Sequence, residues 1–105
     1  MKIKIYQINA ERDKNRVIFC GSRLQMKYMK RDKFIVDRNI YDMVYECKVD
    51  CKYLDDVWTK FNTDLPEDYR ARSLSVSDVI EVIESEDIVP GFYFCDSFGF
   101  KKIDF

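Results

Sequence analysis

The residues best equipped to bind another molecule lie in one stretch, residues 69–78, which reads YRARSLSVSD. Its two arginines carry planar guanidinium groups, which bind carboxylates and phosphates through paired hydrogen bonds. We therefore predict a binding surface made of Arg70, Arg72, Ser73, Ser75, Ser77 and Asp78. The alternative is that Ser75 and Asp78 only bond to nearby backbone groups, in a turn or at the start of a helix.

Groups for catalysis are sparse in this chain. It contains no histidine, so it lacks the commonest general base and the usual serine or cysteine triad. Cys95 and Asp96 are adjacent, but a thiol without a histidine base is poorly activated as a nucleophile. We predict that the protein is not an enzyme and uses no cofactor, with chemistry at Cys95 and Asp96 as the least favoured alternative.

The chain has four cysteines, at positions 20, 47, 51 and 95. In a secreted domain an even number would indicate two disulfides, whereas in a cytosolic chain free thiols pack as small apolar groups. Three residues separate Cys47 from Cys51 where a zinc knuckle usually has two, and no histidine completes a site. The pattern favours four free thiols over a zinc site, and we predict no metal.

Charge is distributed unevenly along the sequence. Residues 1–38 carry eleven basic and four acidic side chains, a net charge of +7, and residues 39–105 carry seven and fifteen, a net charge of −8. The basic cluster Lys27, Lys30, Arg31, Lys33 and Arg38 is interleaved with Tyr28 and Phe34, as on surfaces that bind single-stranded nucleic acid. A nucleic-acid-binding module using this basic third with Arg70 and Arg72 is therefore the alternative function. A solvated helix face explains the same residues, so we predict another protein as the partner.

Apolar residues that alternate with polar ones predict several strands to position these groups. In residues 2–8 we expect Ile3, Ile5 and Ile8 to face inward and Gln7 to face outward. In the segment 40–49 we expect one face to hold Tyr41, Met43, Tyr45, Cys47 and Val49. Further strands are predicted at 79–83, at 92–95 and, as an edge strand, at 100–105.

Apolar residues at helical spacing predict two helices. Leu54, Val57, Trp58 and Phe61 define a helix over 52–62, with Asp50 as its N-cap and Trp58 in the core. A second helix is predicted from Ser22, acting as its cap, to Lys30. There Leu24 and Tyr28 are four residues apart and share one face.

Length and hydropathy limit the architecture. We expect 105 residues to form a single domain, and no apolar run approaches the roughly 20 residues that span a membrane. The N-terminus alternates lysine with isoleucine, unlike a signal peptide, so we predict a cytoplasmic protein. The predicted fold is α+β, a mostly antiparallel sheet with two or three helices packed on it, or alternatively a barrel-like closure.

Motifs along nearly the whole chain resemble those of a known family. They are IKIYQIN (3–9), IYDMVY (40–45), YRARSLSVSDVI (69–80) and YFCDSFGF (93–100), with Asn62 and Pro66 between them. These segments are similar to the YodL-like family of small bacterial proteins. The resemblance implies a bacterial, intracellular protein, often carried on mobile elements or within larger polyvalent proteins. It implies no assigned activity, and no catalytic residues to carry over.

Overall fold

The computed structural model describes residues 1–105 and contains five strands and two α-helices. In chain order the elements are β1 (Lys2–Ile8), α1 (Ser22–Tyr28), β2 (Tyr41–Lys48), α2 (Leu54–Thr63), β3 (Val79–Glu84), β4 (Gly91–Cys95) and β5 (Phe100–Ile103). A single 3-10 turn, Arg38–Ile40, precedes β2. The predicted α+β class is confirmed. Neither helix is long and apolar enough to cross a membrane.

All five strands form one antiparallel sheet in the order β2-β1-β3-β4-β5. The first and last strands in this order, β2 and β5, do not pair with each other, so the sheet is open and the barrel-like alternative is wrong. Both faces of the sheet are covered by apolar side chains from other segments. Because the apolar surface is already buried in this way, the sheet has no need to close.

Helix α2 covers one face of the sheet, as predicted. Leu54, Val57 and Phe61 are buried against the strands. Trp58 is only partly buried, and lies at the margin with its ring 6.5 Å from that of Phe100. The predicted N-cap, Asp50, is wrong. The helix begins after Tyr53, whose N–H donates to the Asp56 carboxylate at 3.1 Å, a pairing typical of a helix start.

The opposite face is covered by the segment between β1 and β2 and by the C-terminal residues. Its buried cluster consists of Tyr6, Ile8, Val17, Tyr41, Val79 and Phe94. Phe34 packs edge-on to Phe94 with ring centroids 4.8 Å apart. The Arg38 guanidinium lies 4.9 Å from the Phe105 ring. This face was not anticipated, because much of what covers it is polar, irregular chain.

Strand β1 is buried on both faces, which corrects the prediction for Gln7. Gln7 is buried and lies on the same side as Ile3 and Ile5, while Ile8 belongs to the cluster on the other side. Alternation of side chains is preserved. Gln7 is enclosed there by residues 69–78, to which it donates hydrogen bonds, and the local pattern of β1 carries no signal for this long-range contact.

Strand β2 contains a bulge, which explains its imperfect alternation. Ile5 is paired with Tyr45 but Tyr6 is paired with Met43, so Val44 is the extra residue. A bulge changes which parity of residues faces each side. Consequently Tyr41 and Tyr45 pack in clusters on opposite faces, and the prediction of a single face from Tyr41 to Val49 is wrong.

Leu24 and Tyr28 share one face of helix α1, as predicted, and this face is turned to solvent. Leu24 is 55% exposed and Tyr28 is 61% exposed, whereas Ser22 and Gln25 are buried. Gly21 is the N-cap residue and Ser22 is the first helical residue, so Ser22 is not the cap. The helix is anchored by polar contacts, including a 2.9 Å hydrogen bond from Gln25 Nε2 to the Cys20 carbonyl, which hydrophobic patterning does not detect.

Candidate interaction site

Asp78, at the start of β3, is the buried centre of the predicted binding segment. Its Oδ2 accepts hydrogen bonds from Gln7 Nε2 at 3.1 Å and from the Ser75 N–H at 2.8 Å. Its carbonyl oxygen accepts from the Cys95 N–H at 2.8 Å. Asp78 therefore joins β1, β4 and the serine-rich turn, which matches the alternative reading of Ser75 and Asp78 as turn residues.

Burial raises the pKa of Asp78 from 3.8 to about 7, although the hydrogen bonds from Ser75 and Gln7 act to lower it. The second carboxyl oxygen, Oδ1, is buried and has no hydrogen-bond partner. An ionised carboxylate without full hydrogen bonding is costly inside a protein. The protonated acid is therefore the stable form of Asp78 below neutral pH.

Ser77 connects the same turn to the loop before α1. Its side chain is buried, and its N–H donates to the Cys95 carbonyl at 2.9 Å. Its Oγ accepts from the Phe19 N–H at 2.9 Å, and its carbonyl accepts from the Tyr41 hydroxyl at 2.6 Å. Every polar group of Ser77 is thus used inside the fold.

Phe19 and Ser77 both have left-handed backbones, with φ of 66° and 83°. This conformation costs about 1–2 kcal/mol in a residue with a side chain. Such strain persists only where surrounding structure enforces it, and it is concentrated at functional sites. Here two strained residues are joined by one hydrogen bond.

The Phe19 ring is on the surface, 54% exposed. The Arg72 guanidinium lies 5.7 Å from its centroid, within range of a cation–π interaction. Arg72 also donates from Nη2 to the Ile8 carbonyl at 2.9 Å. The guanidinium is thus held beside an exposed aromatic ring.

The six predicted site residues separate into two groups. Arg70, Arg72 and Ser73 are exposed and Ser75 is half-buried, whereas Ser77 and Asp78 are buried. Ser77 and Asp78 therefore do not belong to the surface that was predicted, because both are used as internal connectors. The polar groups of Ser77 and Asp78 stabilise the fold and are not available to a partner.

The DSFGF segment positions the start of α1. Asp96 accepts hydrogen bonds from the Ser22 N–H at 2.9 Å, from Ser22 Oγ and from the Ser97 N–H at 2.8 Å. Burial acts to raise the pKa of Asp96, but these hydrogen bonds outweigh it and the pKa is lowered. A Cβ at Gly21 would lie 2.3 Å from Ser97 Oγ, so a larger residue there would displace the Ser97 side chain.

Cys95 and Asp96 show no arrangement for nucleophilic chemistry. Cys95 is fully buried and burial raises the pKa of its thiol well above the usual value, while the carboxylate of Asp96 is directed to Ser22. All four cysteines are free thiols. No group of three or more Cys, Asp or Glu side chains is placed to hold a metal ion.

The predicted basic cluster is also divided. Lys27, Lys30, Arg31 and Lys33 are exposed. Arg38 is exposed as well, but it donates to the Phe105 carbonyl at 3.1 Å and lies over aromatic rings, and Phe34 packs on Phe94. Of the two aromatic residues proposed to interleave with the basic side chains, only Tyr28 is exposed.

Sequence reasoning missed two exposed aromatic residues, Phe19 and Phe98. Phe98 is 95% exposed in the turn between β4 and β5. Phe19 lies two residues before Gly21, and Phe98 directly precedes Gly99, which has φ of 77°. No local pattern in the sequence singles out either ring.

Comparison with known proteins identifies one relationship. The model of the family described as YodL-like domain matches residues 2–105. No curated protein and no solved structure matches the chain. The matched range contains every segment on which the resemblance was noted. The chain belongs to the YodL-like family.

Proposed function

We propose that this domain is a non-enzymatic module that binds another protein through a surface formed by Phe19, Arg70, Arg72 and Ser73, with Ser75 at its margin. We name this set the Phe19 surface. The observation that supports it most is the exposed ring of Phe19 on a left-handed backbone, fixed by buried Ser77. Glycine would adopt this conformation without strain, so the presence of phenylalanine favours a role for the ring.

The chemistry of the Phe19 surface suits a protein partner. Aromatic residues and arginine are enriched among the residues that dominate binding energy at protein interfaces. Arg72 is already ordered by the Ile8 carbonyl and the Phe19 ring, so it loses little freedom when a partner binds. A carboxylate on the partner is the natural group to meet Arg70 and Arg72.

We also propose the cellular setting in which the protein acts. Family membership supports a bacterial, cytoplasmic protein, carried on mobile elements or within larger polyvalent proteins. The buried free thiol of Cys95 is compatible with a reducing compartment.

Nucleic acid is the second candidate ligand. The exposed lysines and arginine at 27, 30, 31 and 33 are outside the three ion pairs of the fold, which join Lys2 to Glu46, Arg12 to Asp42 and Lys60 to Asp64. Binding of this kind weakens steeply with salt. A gel shift at low salt with single-stranded and duplex oligonucleotides tests it, and no shift removes this candidate.

The main experiment is affinity capture from the host with the full chain, followed by mass spectrometry. The test variant carries Phe19→Ala and Arg72→Ala. The matched control carries Tyr53→Ala and Lys52→Ala, since Tyr53 is 53% exposed and Lys52 lies 5.5 Å from its ring. We expect partners to be captured by the natural chain and the control and lost with the test variant. An unchanged set of captured proteins contradicts the proposal.

A further inference from the structure

Helix α1 presents apolar side chains to solvent and anchors itself through polar ones. Leu24 and Tyr28 are one turn apart on its outer face, and both are more than half exposed. Side chains four residues apart on a helix form a continuous ridge. Nothing in the fold covers this ridge, whereas the buried side of the same helix holds Ser22 and Gln25.

The tip of the β4–β5 turn lies at the N-terminal end of α1. Asp96 bonds to Ser22 and Ser97 lies against Gly21, so Phe98, the next residue, is located beside the first turn of the helix. Side chains on a helix lean toward its N-terminus, which directs Leu24 to the same end. We name Leu24, Tyr28 and Phe98 the α1 ridge.

The surroundings of the α1 ridge are mostly basic, with the Asp96 carboxylate, bonded to Ser22, at its N-terminal end. The eighteen residues from 14 to 31 include six lysines and arginines and no acidic residue. Arg23, Lys27 and Arg31 are exposed, and none belongs to an ion pair of the fold. A surface of one sign attracts a partner of the opposite sign and selects against others.

We propose that the α1 ridge binds an acidic amphipathic helix of another protein. Exposed apolar groups grouped together mark interaction surfaces, and a ridge of residues at i and i+4 packs against the apolar stripe of a second helix. Acidic residues beside that stripe meet Arg23, Lys27 and Arg31. A nucleic acid would contact the aromatic rings and the basic side chains of this surface, but it would leave the aliphatic side chain of Leu24 without a role.

This inference rests on the proposed protein-binding function and adds a second contact surface to it. The test is an NMR titration of the full ¹⁵N-labelled chain with a synthetic peptide of about 18 residues, above the length below which isolated helices are marginal. Its leucines and phenylalanines follow helical spacing, and its other positions are mostly glutamate. A scrambled peptide of equal composition and a single-stranded oligonucleotide are the comparison ligands.

We expect saturable shifts at residues 22–31 and 97–99, and at least tenfold weaker binding of the scrambled peptide. Leu24→Ala with Tyr28→Ala, and separately Lys27→Glu, should each weaken binding by about tenfold or more, with folding verified by the dispersion of the free spectra. These side chains are exposed, so the variants should fold. The Phe19→Ala and Arg72→Ala chain should bind the peptide as well as the natural chain.

Three results overturn the inference: no saturation at millimolar peptide, equal binding of the scrambled peptide, or binding of the oligonucleotide alone at these residues. If the peptide fails while capture of partners still depends on Phe19 and Arg72, the α1 ridge is wrong and the proposed function stands. If the peptide binds at the ridge while partner capture is unaffected by Phe19 and Arg72, the Phe19 surface is wrong and the ridge stands.

Discussion

The N–H of Phe19 donates a 2.9 Å hydrogen bond to Ser77 Oγ, and both residues have left-handed backbones. The bond links the loop before α1 to the turn before β3, 58 residues away. The left-handed conformation is unfavourable for both residues, because it brings the Cβ of an L-residue too close to the backbone. The pair is maintained by the packing around it, and it places one aromatic ring in solvent.

Replacing Ser77 separates the contribution of its hydroxyl from that of its backbone. Ser77→Ala keeps the left-handed strain and leaves the Phe19 N–H without a partner, at a cost of about 1–3 kcal/mol. Ser77→Gly also removes the hydroxyl but relieves the strain, by about 1 kcal/mol. We therefore expect the alanine variant to be less stable than the glycine variant in urea unfolding. The reverse order would mean that the strain at Ser77 is negligible.

Asp78 should make the protein less stable as pH rises from 4 to 8. The folded pKa is raised to about 7 from 3.8, so the folded state favours the protonated acid. The stabilisation is complete below about pH 4 and is lost as pH rises through 7, by as much as about 4 kcal/mol. Urea midpoints measured across this range report the slope directly.

The control for this slope is Asp78→Asn, which retains an oxygen for the Ser75 N–H and Gln7 Nε2 but does not ionise. Its urea midpoint should be nearly independent of pH between 4 and 8, and at pH 8 it should exceed that of the natural chain. Equal pH slopes in the natural chain and in Asp78→Asn would show that the fold does not raise the pKa of Asp78.

Gly21→Ala should detach α1 from the β4–β5 turn. The added Cβ would be 2.3 Å from Ser97 Oγ and 2.7 Å from Asp96 Oδ1, so the carboxylate that caps the helix must move. Overpacking of this kind costs about 1–3 kcal/mol. Gly99→Ala is the matched control, because its Cβ meets nothing within 4 Å and only its positive φ is strained. Both variants should lower the unfolding temperature, but only Gly21→Ala should shift the amide signals of residues 22–28.

Much of the fold was predictable because its strongest patterns are local. The spacing of Leu54, Val57 and Phe61 predicted α2, and alternation predicted the strands. What failed depends on long-range packing. Gln7 lies on the same face as Ile3 and Ile5, where it is buried through contacts with residues 69–78, an irregular segment with no periodic signal.

The candidate site was predictable only in its location. Density of arginine and serine identified the segment 69–78, but residue type does not distinguish a polar group that meets solvent from one that joins two strands. Ser77 and Asp78 are in the second category because β1, β4 and the loop before α1 all converge on them. The ring of Phe19 is contributed by a residue 58 positions away in sequence from Ser77, which no local pattern predicts.

Cys95 should resist modification in the native protein. It is fully buried and burial raises the pKa of its thiol, so the reactive thiolate is scarce and inaccessible. With Ellman's reagent at pH 7.5 we expect partly exposed Cys20 to react first and Cys95 to react only on unfolding, as resolved by peptide mass mapping. Rapid labelling of Cys95 in the folded chain would reopen the possibility of thiol chemistry.

Phe19→Gly should separate stability from binding. Glycine adopts φ near 66° without strain, so the variant recovers about 1–2 kcal/mol of backbone energy. Part of this gain is cancelled because glycine increases the conformational entropy of the unfolded chain. The lost ring is half-exposed and contributes little to the core. We expect a urea midpoint at or above that of the natural chain, together with loss of partner capture.

Phe19→Ala, which keeps the strain and loses the ring, should lose capture as well and be less stable than Phe19→Gly. If Phe19→Gly is clearly destabilised and still captures partners, the ring serves the fold, and the strained backbone at Phe19 has no connection with binding.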